Sequence, residues 1–466
     1  YVHLELLTVK RFEQTFSYQE LQVWYEVLME KLFMWLRWKM DWIRTRNNAI
    51  DDLAFPFEYR ESQKKLISGV YQTIVRRKRL VSMAPTGTGK TRAHIFPAVK
   101  AMGMGQISHI FYLTAKTIAR TVAEDTFSIL MARGLELKWV TLTAKEKICI
   151  FDELHCNPGY CPRAKGHFDR VNEAVYDLIT HESRISRAVI EAYAEKNQVC
   201  PFEFQLDVSL RADAVICDYN YVLDPDVSLK RFFADRSDDY LFLVDEAHNL
   251  VDRAREMYSG QLSLGELKAY KAALKGTDQK LNTRLNKVIR FIGQLKDESE
   301  TAITRMDGIG MLAMYLESLM EVLKVLLKEE GTSADRKVLK DLFFAVRTMM
   351  SAYERADDRY LYYTLKTEGD FLVKIACMDP SKDLGERMMK GRAACLFSAT
   401  LLPVSYYKEM LSDTGPDDYD LYARSPFDPG HQLVMIAGDV SSKYTRRGPE
   451  TYRKIARYII EIVRAR

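Results

Sequence analysis

Long apolar runs are missing from this chain. No stretch of its 466 residues reaches the ~18 consecutive apolar residues that a membrane-spanning helix needs. None has the pattern of a signal peptide. Cysteine is sparse: seven in a chain of this length exclude a secreted disulfide scaffold and make an intracellular, cytoplasmic setting the expectation. Charge of one sign is not in large excess. The 68 Lys and Arg against 64 Asp and Glu leave a formal +4, too mild to imply nucleic acid without local evidence. Internal repeats and low-complexity tracts are also lacking. What is present is length enough for two or three domains with substantial cores.

The most informative stretch runs from Leu80 to Thr91. Leu80-Val-Ser-Met83 reads as a buried strand, Ala84-Pro85-Thr86-Gly87-Thr88-Gly89-Lys90-Thr91 as a loop, and an amphipathic helical pattern follows. This is the strand–loop–helix context of a nucleotide phosphate loop, in a variant form with Ala84 at the first position. Gly87 and Gly89 permit the tight turn that aims backbone N–H groups at a phosphate, at the positive end of the next helix. Lys90 is expected at the β- and γ-phosphates of ATP, and the Thr91 hydroxyl on Mg²⁺. A second apolar run, Leu241-Phe-Leu-Val244, ends in Asp245-Glu246-Ala247-His248. A carboxylate at a buried strand end can hold Mg²⁺ and its neighbour can orient the attacking water, roles assigned to Asp245 and Glu246. His248 is expected to line the same nucleotide site.

Upstream, Tyr59-Arg60-Glu-Ser-Gln63 opens a helix some twenty residues before the loop. A Gln amide can accept from and donate to adenine, and a tyrosine can stack on the base. Residues 1–50 are helical and hold four of the five tryptophans. After the capping-box signature Ser17-Tyr-Gln-Glu20, Trp24, Leu28, Leu32, Trp35, Trp38 and Trp42 follow helical spacing, as a stripe that packs on a neighbouring domain would. An interaction helix is the alternative, with Arg37, Lys39, Arg44 and Arg46 available to phosphates. Arg76-Arg-Lys-Arg79 reads as a solvated turn at a helix end.

Downstream, the strand-like His109–Leu113 leads into Thr114-Ala-Lys116-Thr117-Ile-Ala-Arg120. Hydroxyls at a helix start with cations close by suit nucleic-acid phosphates, although an ordinary capped helix reads the same way. Cys149, Cys156, Cys161 and Cys200 are separated by six, four and thirty-eight residues within one segment. That spacing lacks the paired Cys-x-x-Cys of structural zinc, and Cys161 and Cys200 each precede Pro, so an iron–sulfur cluster and zinc both stay open. Cys217, Cys377 and Cys395 sit in apolar runs and read as core. Lys145, Lys147, Arg163, Lys165 and Arg170 mix with Tyr160 and Phe168, a composition that suits a single strand. Leu312, Leu316, Leu319, Leu323 and Leu326 form a short seam in a helical region, and Tyr360–Leu365 with Phe371–Ala376 reads as a hairpin. Ala393–Phe397 is one more buried strand, ending in Ser398-Ala399-Thr400.

In this order the motifs resemble the first motor domain of a superfamily 2 DNA helicase of the iron–sulfur DinG/XPD kind, over roughly residues 55–445. The position of the four-cysteine segment, between phosphate loop and acidic box, carries the likeness. The resemblance implies an α/β fold: a RecA-like P-loop NTPase domain with a parallel sheet, interrupted by a four-cysteine iron–sulfur insert and a helical arch. The expected organisation is an N-terminal helical segment, 1–54; the motor domain in three parts, 55–143, 206–254 and 379–448; the cluster insert, 144–205; the arch, 255–378; and a terminal helix, 449–466. It implies ATP, Mg²⁺ and a [4Fe–4S] cluster on Cys149, Cys156, Cys161 and Cys200. It also implies single-stranded and duplex DNA as partners, contacted through Thr114, Lys116, Thr117 and Arg120, and 5′→3′ translocation with unwinding. Ser398, Ala399 and Thr400 would couple the γ-phosphate site to a moving neighbour. Family members continue into a second RecA-like domain that supplies arginine fingers, worth roughly 10³–10⁵ in rate. The chain is read as ending after its first motor domain, so the expectation is ATP and DNA binding with slow hydrolysis. The region before residue 50 is similar to the connection that follows a nuclease domain in some bacterial members, but no nuclease carboxylate set is visible. No protein partner is indicated. Two competing readings are a non-catalytic nucleotide- and DNA-binding module and a zinc-stabilised NTPase that does not act on DNA.

Overall fold

A computed structural model of the chain describes residues 2–3, 8–9, 13–115, 117–152, 154, 156–233, 239–328, 333–412, 417–431 and 434–465. Two units separate, Tyr1–Arg424 and Ser425–Arg466. The second carries the helix Pro449–Arg464, opened by its proline at the first turn; none of its residues is buried within that unit.

The first unit is built on an eight-stranded sheet. In chain order its strands are β1 (Arg79–Met83), β2 (His109–Leu113), β3 (Trp139–Thr141), β4 (Arg184–Ile185), β5 (Ala214–Cys217) and β6 (Tyr240–Asp245). A second, smaller sheet interrupts them with β7 (Gly260–Ser263), β8 (Ile303–Met306), β9 (Tyr360–Lys366) and β10 (Phe371–Cys377). The large sheet then resumes with β11 (Ala393–Ser398) and β12 (Tyr419–Tyr422). Its spatial order is β12-β1-β11-β6-β2-β5-β3-β4, and every recorded pairing is parallel. Parallel strands are covered on both faces, so their sequences read as apolar runs with no polar alternation. On β6, Leu241 and Leu243 enter one core with Tyr112, Ile95 and Val99, while Phe242 and Val244 point into the opposite core with Phe111 and Leu396.

Helices close both faces. α1 (Tyr18–Asp51) has the full Ser17/Glu20 capping box. α2 (Glu61–Val75) and α3 (Lys90–Gly103) pack on one another beside β1. α4 (Thr117–Met131) follows β2. The stripe read along α1 is used only in part. Trp35 and Trp38 pack against the core and Trp42 donates to Asp213, but Trp24, Leu28 and Leu32 are exposed. Arg46 is not free for phosphates; it is buried in a 2.6 Å ion pair with Asp213. Arg79 departs from the solvated turn expected of it: it starts β1, is buried, and donates to Ser412 Oγ at 3.1 Å.

The first insert holds α5 (Lys145–Ile148), α6 (His167–His181), α7 (Arg187–Lys196) and α8 (Pro201–Ser209). In the second insert, helices α9 (Leu264–Ala273), α10 (Gln279–Glu298), α11 (Gly310–Leu326) and α12 (Ser333–Arg355) accompany the antiparallel sheet of order β8-β9-β10-β7. Leu312, Leu316, Leu319 and Leu323 of α11 are buried in its core.

Candidate active site

In a parallel sheet the strands' carboxyl ends share one edge, where open α/β folds place their ligands. β1, β11, β6 and β2 are neighbours, so the phosphate loop, Ser398–Thr400, Asp245–His248 and Thr114–Arg120 all emerge at that edge. The loop is fixed to its neighbour by the Ala84 N–H, which donates to the Ser398 carbonyl at 2.9 Å. Within it, the Thr88 hydroxyl donates to the Pro85 carbonyl at 2.8 Å. Thr86 sits on the exposed outer turn. Gly87 and Gly89 have φ of 85° and 74°, the left-handed region that favours glycine. A Cβ on Gly89 would stand 2.5 Å from Gln63 Nε2.

Gln63 is therefore a loop contact. Its Nε2 donates to the Thr88 carbonyl at 2.7 Å and its Oε1 accepts from the Arg60 N–H at 3.1 Å. The Arg60 guanidinium donates to the Gly87 carbonyl. Each end of the Gln63 amide keeps a second hydrogen-bonding position, so holding the loop does not exhaust it. Tyr59 stacks on Phe55, with ring centroids 4.7 Å apart and planes at 13°.

The acidic box lies beside the loop. Lys90 Nζ is 3.7 Å from Glu246 Oε1. Thr91 is nearly buried at the first turn of α3. Asp245 is 4% exposed, and burial pushes its carboxyl above the usual range. The Tyr112 hydroxyl, the Glu246 N–H and the Lys90 charge oppose that rise. Tyr112 donates to Asp245 Oδ2 at 2.5 Å and also contacts Thr91. Burial and the Asp245 charge hold its phenol well above its ordinary pKa, so it stays a donor. The Tyr219 hydroxyl donates to the Asp245 carbonyl at 2.5 Å and the Glu246 carbonyl at 3.2 Å, around a Glu246 backbone at φ 52°. His248 Nδ1 lies 2.6 Å from Ser398 Oγ and 3.3 Å from Glu246 Oε2, and the Thr400 N–H reaches Ser398 Oγ at 3.4 Å. Ala399 sits between these groups in the chain. The residues expected from the sequence at the nucleotide site and in coupling thus form one connected set.

At the next strand end, Thr114 is buried with its N–H on the Cys217 carbonyl, and Arg120 pairs with Asp218 at 3.7 Å. Lys116 lies outside the described residues, as does the side chain of Thr117. Arg120 opens onto a groove of about 780 Å³. Lys145, Lys147, Arg253, Phe202 and Tyr221 also line it, with Lys145 Nζ 5.1 Å from the centre of the Phe202 ring.

The four cysteines belong to the first insert, which also supplies Lys145, Lys147 and Phe202 to this groove. Cys149 follows α5 directly, Cys156 is exposed and Cys161 is buried. Cys200 caps α8; burial raises its thiol pKa, while the N–H groups of Glu203 and Phe202 favour the thiolate. Burial works against the Lys145 charge, but a hydrogen bond to Cys156 and the proximity of Glu203 and Cys200 outweigh it, and its pKa is raised. Four thiols on one insert, two of them facing a single cation, fit a thiolate-bound group chemically. Among the described residues, however, no three His, Cys, Asp or Glu side chains are gathered closely enough to hold a metal, so the expected ligand set is not assembled. Cys217, Cys377 and Cys395 are buried in the cores.

Sequence reasoning missed Tyr112, Tyr219 and Phe202. Tyr112 stands two residues before Thr114, Tyr219 lies in Asp218-Tyr-Asn-Tyr221, and Phe202 follows Cys200-Pro201.

Residues 114–267 match the DEAD_2 family model. The chain is similar to "ATP-dependent DNA helicase chl1" of Neosartorya fischeri, 22% identical over 292 residues, covering 53% of this chain and 33% of that protein. It is 23% identical over 385 residues to "ATP-dependent DNA helicase CHL1" of Eremothecium gossypii, covering 70% of this chain and 46% of that protein. The chain thus spans a third to a half of the length of these relatives. Among solved structures it resembles "XPD_Helicase", with a TM-score of 0.52 and 16% identity over 87% of this chain and 70% of that one. "Truncated XPD" matches with a TM-score of 0.52 and 14% identity, over 78% of this chain and all of that one, 100%. At these identities the structural likeness establishes the fold, an α/β RecA-like domain with a parallel sheet. Among the described residues no helix is long and apolar enough to cross a membrane.

Proposed function

On the premise that this chain, through its DEAD_2 domain, belongs to the XPD/DinG/CHL1 family of superfamily 2 helicases, we propose that it is an ATP-driven motor on DNA. One observation supports this most: Lys90, Thr91, Asp245 and Glu246 converge at the ends of β1 and β6, the two strands that flank β11, tied to Ser398 through His248. In this reading the Gly87–Lys90 backbone N–H groups cradle the β-phosphate and Lys90 neutralises the β- and γ-oxygens. Thr91 and Asp245 would hold Mg²⁺, which supplies charge neutralisation at the phosphates. Glu246 orients the attacking water, and its charge is released from Lys90 when the phosphates arrive. Pro85, Thr86 and Thr88 shape the loop, while Tyr59, Arg60 and Gln63 flank the adenine side.

The basic, aromatic groove accepts a single strand: Arg120, Lys145, Lys147 and Arg253 meet phosphates, while Phe202 and Tyr221 offer stacking faces. Movement along it is read as 5′→3′, with duplex DNA opened ahead, in the cytoplasm. Ser398, sharing His248 with Glu246, transmits the state of the γ-phosphate. Cys149, Cys156, Cys161 and Cys200 would hold a [4Fe–4S] cluster that staples the first insert. The chain's own part there is to supply the four thiols, with Cys200 at the start of α8 and Cys156 hydrogen-bonded to Lys145.

The test is nucleotide binding by Lys90→Ala, followed by fluorescence of a labelled ATP analogue. Affinity should fall by at least tenfold, since a desolvated ion pair to phosphate is lost. Unchanged affinity contradicts the assignment of the phosphate loop.

A further inference from the structure

The segment Asp218–Tyr221 follows β5, and Asp218, Asn220 and Tyr221 line the groove. Tyr219 does not: it is fully buried. Its hydroxyl reaches the Asp245 carbonyl at 2.5 Å and the Glu246 carbonyl at 3.2 Å, both at the end of β6. β2 lies between β5 and β6, so this contact crosses roughly 10 Å of the sheet edge. At the end of β2 itself, the Ala115 N–H donates to the same phenol oxygen. One buried hydroxyl thus joins three strand ends: the segment read as meeting DNA, the groove wall and the acidic box.

Both sides of this junction are set to move. Glu246 has φ 52°, the left-handed region that a non-glycine residue keeps only where its surroundings fix it. The two carbonyls that meet Tyr219 belong to the peptides on either side of Glu246, so the phenol brackets the backbone rotations of that one residue. On the groove side, Arg120 pairs with Asp218 at 3.7 Å, longer than a hydrogen bond, and each side chain is about a quarter exposed. A strand phosphate can therefore compete with Asp218 for the guanidinium. Arg120 Nε and Asn220 Oδ1 are buried without a hydrogen-bond partner among the described residues. Unsatisfied buried groups favour any shift of the segment that gives them one.

We propose that Tyr219 is the positioning residue that couples strand binding in the groove to the setting of Glu246, an assignment that rests on the reading of the protein as a DNA motor. A strand phosphate draws Arg120 away from Asp218, and Asp218–Asn220 shifts. Tyr219 carries that shift to the two peptides around Glu246, and so to the carboxylate that lies 3.7 Å from Lys90. Tyr219 is buried away from the groove and acts only through Glu246. This path is distinct from the His248–Ser398 contact, which joins Glu246 to β11. A coupling of this kind is reciprocal: nucleotide changes strand affinity by the factor by which the strand changes nucleotide affinity.

The test measures binding of a fluorescent oligothymidylate to the full chain, alone and with a saturating non-hydrolysable ATP analogue and Mg²⁺. In the wild type the two affinities should differ by about fivefold or more. In Tyr219→Phe, which keeps the ring and removes only the hydroxyl, the ratio should fall close to one while the strand alone and the analogue alone still bind as in the wild type. A wild-type ratio in the variant would overturn the proposal and leave the motor reading standing. Loss of either single affinity with the ratio kept would make Tyr219 a structural support and also overturn it. Hydrogen exchange gives a readout that needs no variant: the strand, without nucleotide, should change amide exchange across Asp245–Asn249 in the wild type. Unchanged exchange there, with the strand bound, would overturn the coupling. A wild type that binds no strand would overturn the motor reading and the proposal together.

Discussion

Replacing Tyr112 by Phe removes one oxygen and leaves the ring in its core. The lost bond runs to Oδ2 of Asp245, a carboxylate only 4% exposed, at 2.5 Å. A hydrogen bond to a buried charged group is worth about 1.5–3 kcal/mol. After the change Asp245 keeps the Glu246 N–H on Oδ1, but nothing fixes the rotation of its other oxygen or links it to Thr91. The two groups assigned to Mg²⁺ are then no longer held to one another. Outer-shell changes of this kind cost 10–100-fold in metal affinity, in accord with that energy. The assay is nucleotide binding titrated with Mg²⁺. Half-saturation should move to about tenfold or more higher Mg²⁺, while binding in excess chelator stays at the wild-type level. The same Mg²⁺ dependence in both proteins would refute the role given to Tyr112.

Two more predictions address the surroundings of the site. His94 is fully buried, with Nε2 3.0 Å from Ser82 Oγ and Nδ1 2.8 Å from the Lys90 carbonyl, and burial lowers its pKa to about 4. Its unfolded form binds a proton near 6.5, so stability is complete above that pH and falls as pH drops towards 4, by up to about 3 kcal/mol. Denaturant midpoints at pH 7.5 and 5 should show the loss in the wild type and less of it in His94→Asn; equal losses would reject the assignment. Cys156→Ser should remove the iron and the broad visible absorption of anaerobically purified protein, and an unaltered spectrum would exclude Cys156 as a ligand.

The sequence disclosed most where burial is two-sided. β1, β2, β6 and β11 are buried and mostly apolar because helices cover both faces of the sheet, and each leads into a polar motif at the carboxyl edge. The turn after β1 was legible because Gly87 and Gly89 serve a backbone conformation, a local fact. Tertiary facts were not. Arg79 looked like part of a solvated basic turn, yet its guanidinium meets Ser412, 333 residues away. The α1 stripe has the right spacing throughout, but only from Trp35 onward is there a surface to cover it. Tyr112 was hidden for the opposite reason: in a buried strand a tyrosine looks like one more apolar residue until its hydroxyl is seen on Asp245. Gln63 was read only for adenine, and its hold on the Thr88 carbonyl is a contact that spacing could not reveal.

The central claim is that the Lys90–Glu246 site hydrolyses ATP in response to DNA. The most direct measurement is ATP turnover by the purified chain with and without single-stranded DNA, beside Glu246→Gln, with nucleotide binding followed in parallel. A turnover that DNA raises is expected, and a variant that still binds ATP but loses the stimulated turnover. A rate indifferent to both DNA and Glu246 would contradict it.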